Sequence, residues 1–372
     1  MLTLPLWVTL PSGLVRAATL RVTGLKRYSA PDHTRLVFEL DAPMNSPRTR
    51  ALGDSVVALE IPGAEYRSVE TPISVQDGLV ARLVFQNLAG SLGVRVELQR
   101  PADFSAFTLA PNAGGAQHRI VLDLRKRLNA AEREQAERET EAARRSGDVI
   151  VAVDAGHGGN DPGCNGNGVL ECEVALDVAR GTRDAIAKKP GMRAVLTRDG
   201  NYFVPLGKRQ EIARKYDARV FVSIHLNSGP SPAAHGSEVF FLSLKGAADK
   251  AARELVDREN AADQVGGVAP DERATALVDI LWNMKQNEMM RQSERLGEIV
   301  LDRLGSIPGN EVRGLKQGPL AVLKSITCAS ILVELGFVTN SRDARLLQDP
   351  GVRRRFAAYI ADGVADFVGE EG

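Results

Sequence analysis

The chain lacks most of the bulk signals that would narrow its function. It holds only three cysteines in 372 residues, Cys164, Cys172 and Cys328. A set so sparse and odd in number excludes a disulfide framework. Cys164 and Cys172 would pair only if their loop brings them together, and two unpaired thiols are the simpler expectation. Net charge is missing too: 47 basic and 47 acidic side chains cancel, so nothing points to a nucleic-acid partner. Past the first 18 residues no stretch is long and apolar enough to span a bilayer, so no transmembrane segment is expected. Composition, 44% hydrophobic and 25% charged, is ordinary for a globular protein. The length suits two domains of about 100–200 residues each.

What is present divides along the chain. Residues 1–18, MLTLPLWVTLPSGLVRAA, are apolar and end in small residues near Arg16-Ala17-Ala18. That resembles the end of a secretory signal peptide without its basic n-region. Either the true start lies upstream or the segment is a buried first strand; export is the favoured expectation. Residues 19–125 alternate like strands over Leu20–Val22, Thr34–Leu40, Val56–Ile61, Leu83–Phe85, Val94–Leu98 and His118–Leu124. Separated by Pro, Gly and Asn turns, they predict a small all-β sandwich with no cluster of chemical groups. Residues 126–147 are charged almost throughout, which predicts a polar helical linker that buries no face.

From 148 to 369 the pattern becomes strand–helix alternation, which predicts an α/β domain, a sheet with helices on both faces. The apolar run Val149–Val153 ends in Asp154 and the glycine-rich Gly156-His157-Gly158-Gly159, so His157 stands at the carboxyl end of a buried strand, where open α/β sheets place ligands. Expected helices cover Glu173–Lys188, Leu206–Tyr216 and Val352–Phe367; expected strands cover Arg193–Thr197, Val220–Ile224, Glu238–Leu242 and Ile331–Glu334. His225 ends the run Val220–Ile224 as His157 ends its own. Glu171 opens the helix after the glycine loop, with Glu173 the other nearby carboxylate, and Glu334 ends the run Ala329–Val333. Each of the four has a structural explanation alone: a turn or core histidine, a strand-end ion pair, a helix-dipole carboxylate. Together, two imidazoles and a carboxylate are a donor set used by catalytic zinc, with the fourth position left to water and a further carboxylate for proton transfer.

Val153–Gly159, the helix start Glu171–Val174, Ser223–Asn227 and Val333–Phe337 resemble the motifs of zinc-dependent N-acetylmuramoyl-L-alanine amidases of the Gram-negative cell-division type. The resemblance covers the whole second domain. It implies that His157, Glu171 and His225 bind Zn2+, that Glu334 assists catalysis, and that the substrate is peptidoglycan, cut between N-acetylmuramic acid and L-alanine in the periplasm during septal splitting. The choice of Glu171 over Glu173 rests on it. One departure is Cys172, a soft ligand directly after Glu171. The strand-rich residues 19–125 are similar to the AMIN domain, which implies targeting to cell-wall polymer.

Residues 246–304 are strongly helical and longer than a normal crossover. They resemble the regulatory segment of the cell-division amidases, which implies autoinhibition by a helix that an activator protein displaces. Glu259 is the candidate plug of the metal's fourth position; the alternative is a solvated helix charge. Leu277, Ile280, Leu281 and Met284 recur at helical spacing with Trp282 close by, either as core or, if exposed, as the activator's docking surface. Two other functions use the same residues: a zinc peptidase acting on ordinary peptides, and a wall-binding scaffold with a structural metal.

Overall fold

The computed structural model describes residues 20–30, 33–44, 46–67, 71–111, 117–145, 147–265, 280–324 and 328–371. The expected leader 1–18 lies outside them, as do Leu277 and the side chains of Ile280, Leu281, Trp282 and Met284. The chain divides into two compact units, Met1–Arg127 and Leu128–Gly372. Among the described residues no helix is long and apolar enough to cross a membrane.

The first unit is built from β1 (Leu20–Ser29), β2 (His33–Leu40), β3 (Arg48–Ala51), β4 (Val56–Pro62), β5 (Ala64–Glu65), β6 (Ile73–Ser74), β7 (Val80–Leu88), β8 (Ser91–Leu98), β9 (Ala102–Leu109) and β10 (His118–Lys126). They form two five-stranded sheets, ordered β5-β1-β2-β10-β9 and β3-β4-β8-β7-β6. Alternate residues of each sheet enter one shared core: Leu36, Phe38, Ile120 and Leu122 from the first, Val57, Leu59, Val94 and Val96 from the second. That is the expected sandwich. The strands that sequence alternation did not mark are β3, β5, β6 and β9, short or at a sheet edge, where one-sided burial writes little into the sequence.

The second unit opens with the charged helix α1 (Ala130–Arg145) and continues through β11 (Val149–Ala155), the short hairpin β12 (Asn165–Gly166) and β13 (Val169–Leu170), α2 (Glu171–Ile186), β14 (Met192–Leu196), α3 (Leu206–Lys215), β15 (Val220–Asn227) and β16 (Ser237–Leu242). Then come α4 (Lys250–Asn260), α5 (Ala262–Val265), α6 (Ile280–Gly305), β17 (Val312–Gly318), β18 (Ala329–Phe337), α7 (Ser341–Gln348) and α8 (Pro350–Glu371). Six strands make one sheet, β14-β11-β15-β18-β16-β17. The first four run parallel, and β16 with its parallel neighbour β17 runs the other way.

Strand parity assigns the faces. Val151, Val153, Val220, Val222, Ile224, Ile331 and Val333 pack beneath α2, α6 and α8. Ala152, Phe221, Phe240 and Leu332 pack on the other face with Ala213 of α3 and Leu255 and Val256 of α4. The same parity sends Asp154, Ser223, His225, Glu238 and Glu334 to this second face. The chain leaves β11 for β14 on one side and returns to β15 on the other, so the strand order reverses between β11 and β15, the usual position of a ligand crevice.

The helical stretch 246–304 is divided between the faces. Ala252, Leu255 and Val256 belong to the second-face cluster, whereas Leu296, Val300 and Leu304 of α6 are core of the first. Its later part is therefore a crossover that closes the sheet. Strand β17 was not expected, because VRGLKQG at the sheet edge has no apolar alternation.

Candidate metal centre

The crevice is framed by a loop with few side chains. His157 has φ 57°, in the left-handed region, and two buried arginines hold the backbone around it. Arg198 donates from Nε to Ala155 O (2.9 Å) and from one NH2 to Gly156 O (2.7 Å). Arg209 donates to Ala155 O (2.6 Å) and His157 O (2.9 Å). Arg209 also pairs with Asp154 at 2.9 Å. Burial alone would raise the Asp154 pKa, but Arg209, Ser223 and Thr197 outweigh it and hold the carboxyl below its usual range. Gly156 has no room for a side chain, since a Cβ there would lie 2.5 Å from His225 Cε1.

Glu171 begins α2 and is fully buried. Its Oε2 accepts from Cys164 N (2.7 Å) and its Oε1 from Leu226 N (2.8 Å), which aims the carboxylate at the crevice rather than along its helix. Glu173, the alternative, is exposed. Cys172 is buried, its carbonyl taken by Arg198, and all three cysteines are free.

Four atoms converge. His157 Nε2 is 3.1 Å from Glu171 Oε1 and 3.2 Å from Glu259 Oε2. His225 Nδ1 is 3.1 Å from Glu171 Oε1 and 3.0 Å from Glu259 Oε2. One ligand atom from each of the four residues lies within 4.8 Å of every other. A tetrahedron with metal–ligand bonds of ~2.0–2.1 Å has edges of about 3.3 Å, so the spacing fits a small divalent cation. His157 Nε2 and Glu259 Oε2 are buried with no hydrogen-bond partner among the described residues, as atoms aimed at a shared ion would be.

Supporting groups fix the donors. His157 Nδ1 faces Asp161 Oδ2 at 2.7 Å, the carboxylate–imidazole arrangement that orients metal-binding histidines. Arg258 Nε donates to Glu259 Oε1 at 3.0 Å, leaving Oε2 for the cluster. Without a cation the imidazoles take protons. Burial opposes their charge, but Glu171 and Glu259 raise His157 well above its usual value and Glu259 leads in raising His225 to about 9.

Glu334 stands beside His225 in register on β18. It is fully buried, and neither carboxylate oxygen has a hydrogen-bond partner among the described residues. Burial, then the Glu259 charge, raise its pKa well above the carboxylate range. The structure thus brings His157, Glu171, His225, Glu259 and Glu334 to one crevice, and Glu259 is not the solvated charge of the alternative expectation. Sequence reasoning missed Asp161, four residues after His157 in the glycine loop, and Arg258, adjacent to the plug candidate.

The family model for N-acetylmuramoyl-L-alanine amidases matches residues 151–366. The amidase AmiA of Escherichia coli (strain K12) is 37% identical over 227 residues, covering 61% of this chain and 78% of that protein. AmiC of Neisseria meningitidis serogroup B is 29% identical over 375 residues, covering 93% of this chain and 89% of the relative. Among solved structures, the amidase AmiC2 of Nostoc punctiforme aligns at 28% identity over 60% of this chain and 99% of its own, with a TM-score of 0.45. The family match takes in over half of the chain and all five clustered residues: this protein belongs to the N-acetylmuramoyl-L-alanine amidases, enzymes of peptidoglycan.

Proposed function

We propose that the chain is a zinc-dependent, autoinhibited amidase that cleaves the bond between N-acetylmuramic acid and L-alanine at the division septum. The observation that carries this reading is the meeting of four donor atoms, one of them from α4 in the 246–304 segment. His157, Glu171 and His225 would hold Zn2+, and Glu259 of α4 would fill the remaining position. A zinc ion held there supplies Lewis acidity, polarising a carbonyl and acidifying a water molecule.

The protein's own groups do the rest. Asp161 keeps the His157 ring turned so that Nε2 faces the crevice. Glu334, unpartnered and beside the cluster, takes the proton of the attacking water and delivers it to the leaving amine. Glu259 opposes this by occupying the position the substrate needs. Its withdrawal with α4 removes that obstacle. An activator protein acting on the 246–304 segment would drive that withdrawal. The amino-terminal sandwich, similar to an AMIN domain, would target the enzyme to wall polymer after export to the periplasm.

The test uses the full chain loaded with zinc on purified peptidoglycan. Glu259→Ala raises release of stem peptides roughly ten-fold or more over the parent, because the competent state no longer competes with the block, and a chelator abolishes it. Unchanged release in a folded, zinc-loaded variant contradicts the block. Chelator-insensitive hydrolysis contradicts the metal. Preference for simple peptides over peptidoglycan favours the peptidase alternative.

A further inference from the structure

Asn227 lies two residues beyond His225 at the end of β15 and is buried. Its backbone carbonyl is taken by Val338 N at 2.8 Å, which leaves the carboxamide to be explained. The Nδ2 donates to Glu238 Oε2 at 3.1 Å, and Oδ1 accepts from Arg258 at 3.4 Å. Glu238 decides which way round the carboxamide sits. Its other oxygen takes Arg313 Nε at 2.6 Å and Lys316 Nζ at 3.0 Å, so it is a carboxylate paired with two cations. A carboxylate only accepts. The nitrogen of Asn227 must therefore face Glu238, and Oδ1 must face α4.

The donor that Oδ1 meets is on the element that has to leave. Arg258 is next to Glu259 on α4, and it also bonds Ser228 O and Ser228 Oγ, each at 3.3 Å. When α4 withdraws, Arg258 goes with Glu259. Oδ1 is then a fixed acceptor at the rim of the crevice with its donor gone, an arrangement that favours any ligand able to supply an N–H. The substrate is rich in such donors, in its stem-peptide amides and in the acetamido group of its sugar.

We propose that Asn227 is a substrate-positioning residue whose Oδ1 accepts an amide N–H of the muramoyl peptide, in the place Arg258 holds in the closed protein. Glu238 is the positioning residue behind it. This inference rests on the α4 block described above, and the two are tested apart. The parental enzyme is the full-length, zinc-loaded Arg258→Ala/Glu259→Ala protein; if it is no more active than the wild type, the block is wrong, and the Asn227 comparison is still read on its turnover. Two synthetic muramoyl peptides replace an N–H by oxygen, one at the first peptide amide beyond the scissile bond and one in the acetamido group.

One of the two replacements is expected to lower kcat/KM about 10- to 100-fold in the parental enzyme, mainly through KM. Adding Asn227→Ala lowers turnover of the all-amide substrate by the same factor and makes the enzyme indifferent to that replacement. Which substrate responds tells whether the donor is peptide or sugar. Losses that multiply, or an Asn227→Ala enzyme as fast as the parental one, overturn the proposal. Zinc content is measured alongside; where Asn227→Ala loses zinc, Asn227→Ser is carried through the same comparison with the same outcomes.

Discussion

The two faces of the six-stranded sheet are made by the same strands and do opposite work. The face beneath α2, α6 and α8 is dry: Val151, Val222, Ile331 and Val333 meet Leu296, Val300, Phe356 and Ile360 in one apolar cluster. The other face carries, at alternate positions of those same strands, Asp154, Ser223, His225 and Glu334, all buried. A single-residue register slip in β11, β15 or β18 would exchange the two sets. The first face therefore stabilises a geometry that the second uses, and buried charge on the second is tolerated because it is paired, clustered for a cation, or kept protonated.

The comparison predicts that substitutions separate by face. The largest effect is on chemistry. Glu334→Gln is expected to lower turnover by about 10²–10⁴-fold with zinc still bound, read as stem-peptide release beside metal content; near-normal turnover contradicts the assigned proton transfer. On the dry face, Phe356→Ala is expected to cost about 3–5 kcal/mol of stability while the folded fraction keeps its turnover, measured by denaturant unfolding and active-site-normalised rates. Smaller is Gly163→Ala. A Cβ there would lie 2.6 Å from Glu171 Oε2 and 2.7 Å from His157 Cδ2, at φ +68°. The donors must shift, so zinc affinity falls roughly 10–100-fold, measured by competition with a chelating dye. Smallest and most specific is a pH effect. In the zinc-free protein burial lowers the His225 pKa, the Glu259 charge and the hydrogen bonds to Glu171 and Glu259 together outweigh it, and the pKa is raised from 6.5 to about 9. The stability it lends is complete below pH 6.5 and lost as pH rises through about 9. Thermal unfolding of the zinc-free protein should fall over that window, and that of the zinc-loaded protein should not.

The same contrast explains what the sequence made legible. Apolar runs of five residues, such as Val149–Val153 and Val220–Ile224, mark central strands because both faces are buried, and His157, His225 and Glu334 follow directly from where those runs end. Glu171 was separable from Glu173 only by resemblance, since one helix turn offers both; in the structure the hydrogen bonds from Cys164 N and Leu226 N hold Glu171 in the crevice while Glu173 is exposed. Arg198 and Arg209 left no trace, because a buried arginine that serves backbone carbonyls reads in sequence like any surface charge, and the half-buried Arg258 left none either. The division of residues 246–304 between the two faces was equally hidden: α4 and α6 both have helical spacing, and only tertiary packing says which sheet face each covers. Edge strand β17 pairs through its backbone, which side-chain pattern does not record.

On the proposed reading, one divalent ion belongs between β11, β15 and α4. Crystals of the full chain grown with zinc, with diffraction recorded above and below the zinc absorption edge, test it most directly. One strong anomalous peak is expected about 2.0–2.2 Å from donor atoms of His157, Glu171, His225 and Glu259. A peak held by other residues, or these four side chains in place around no peak at saturating zinc, would contradict it.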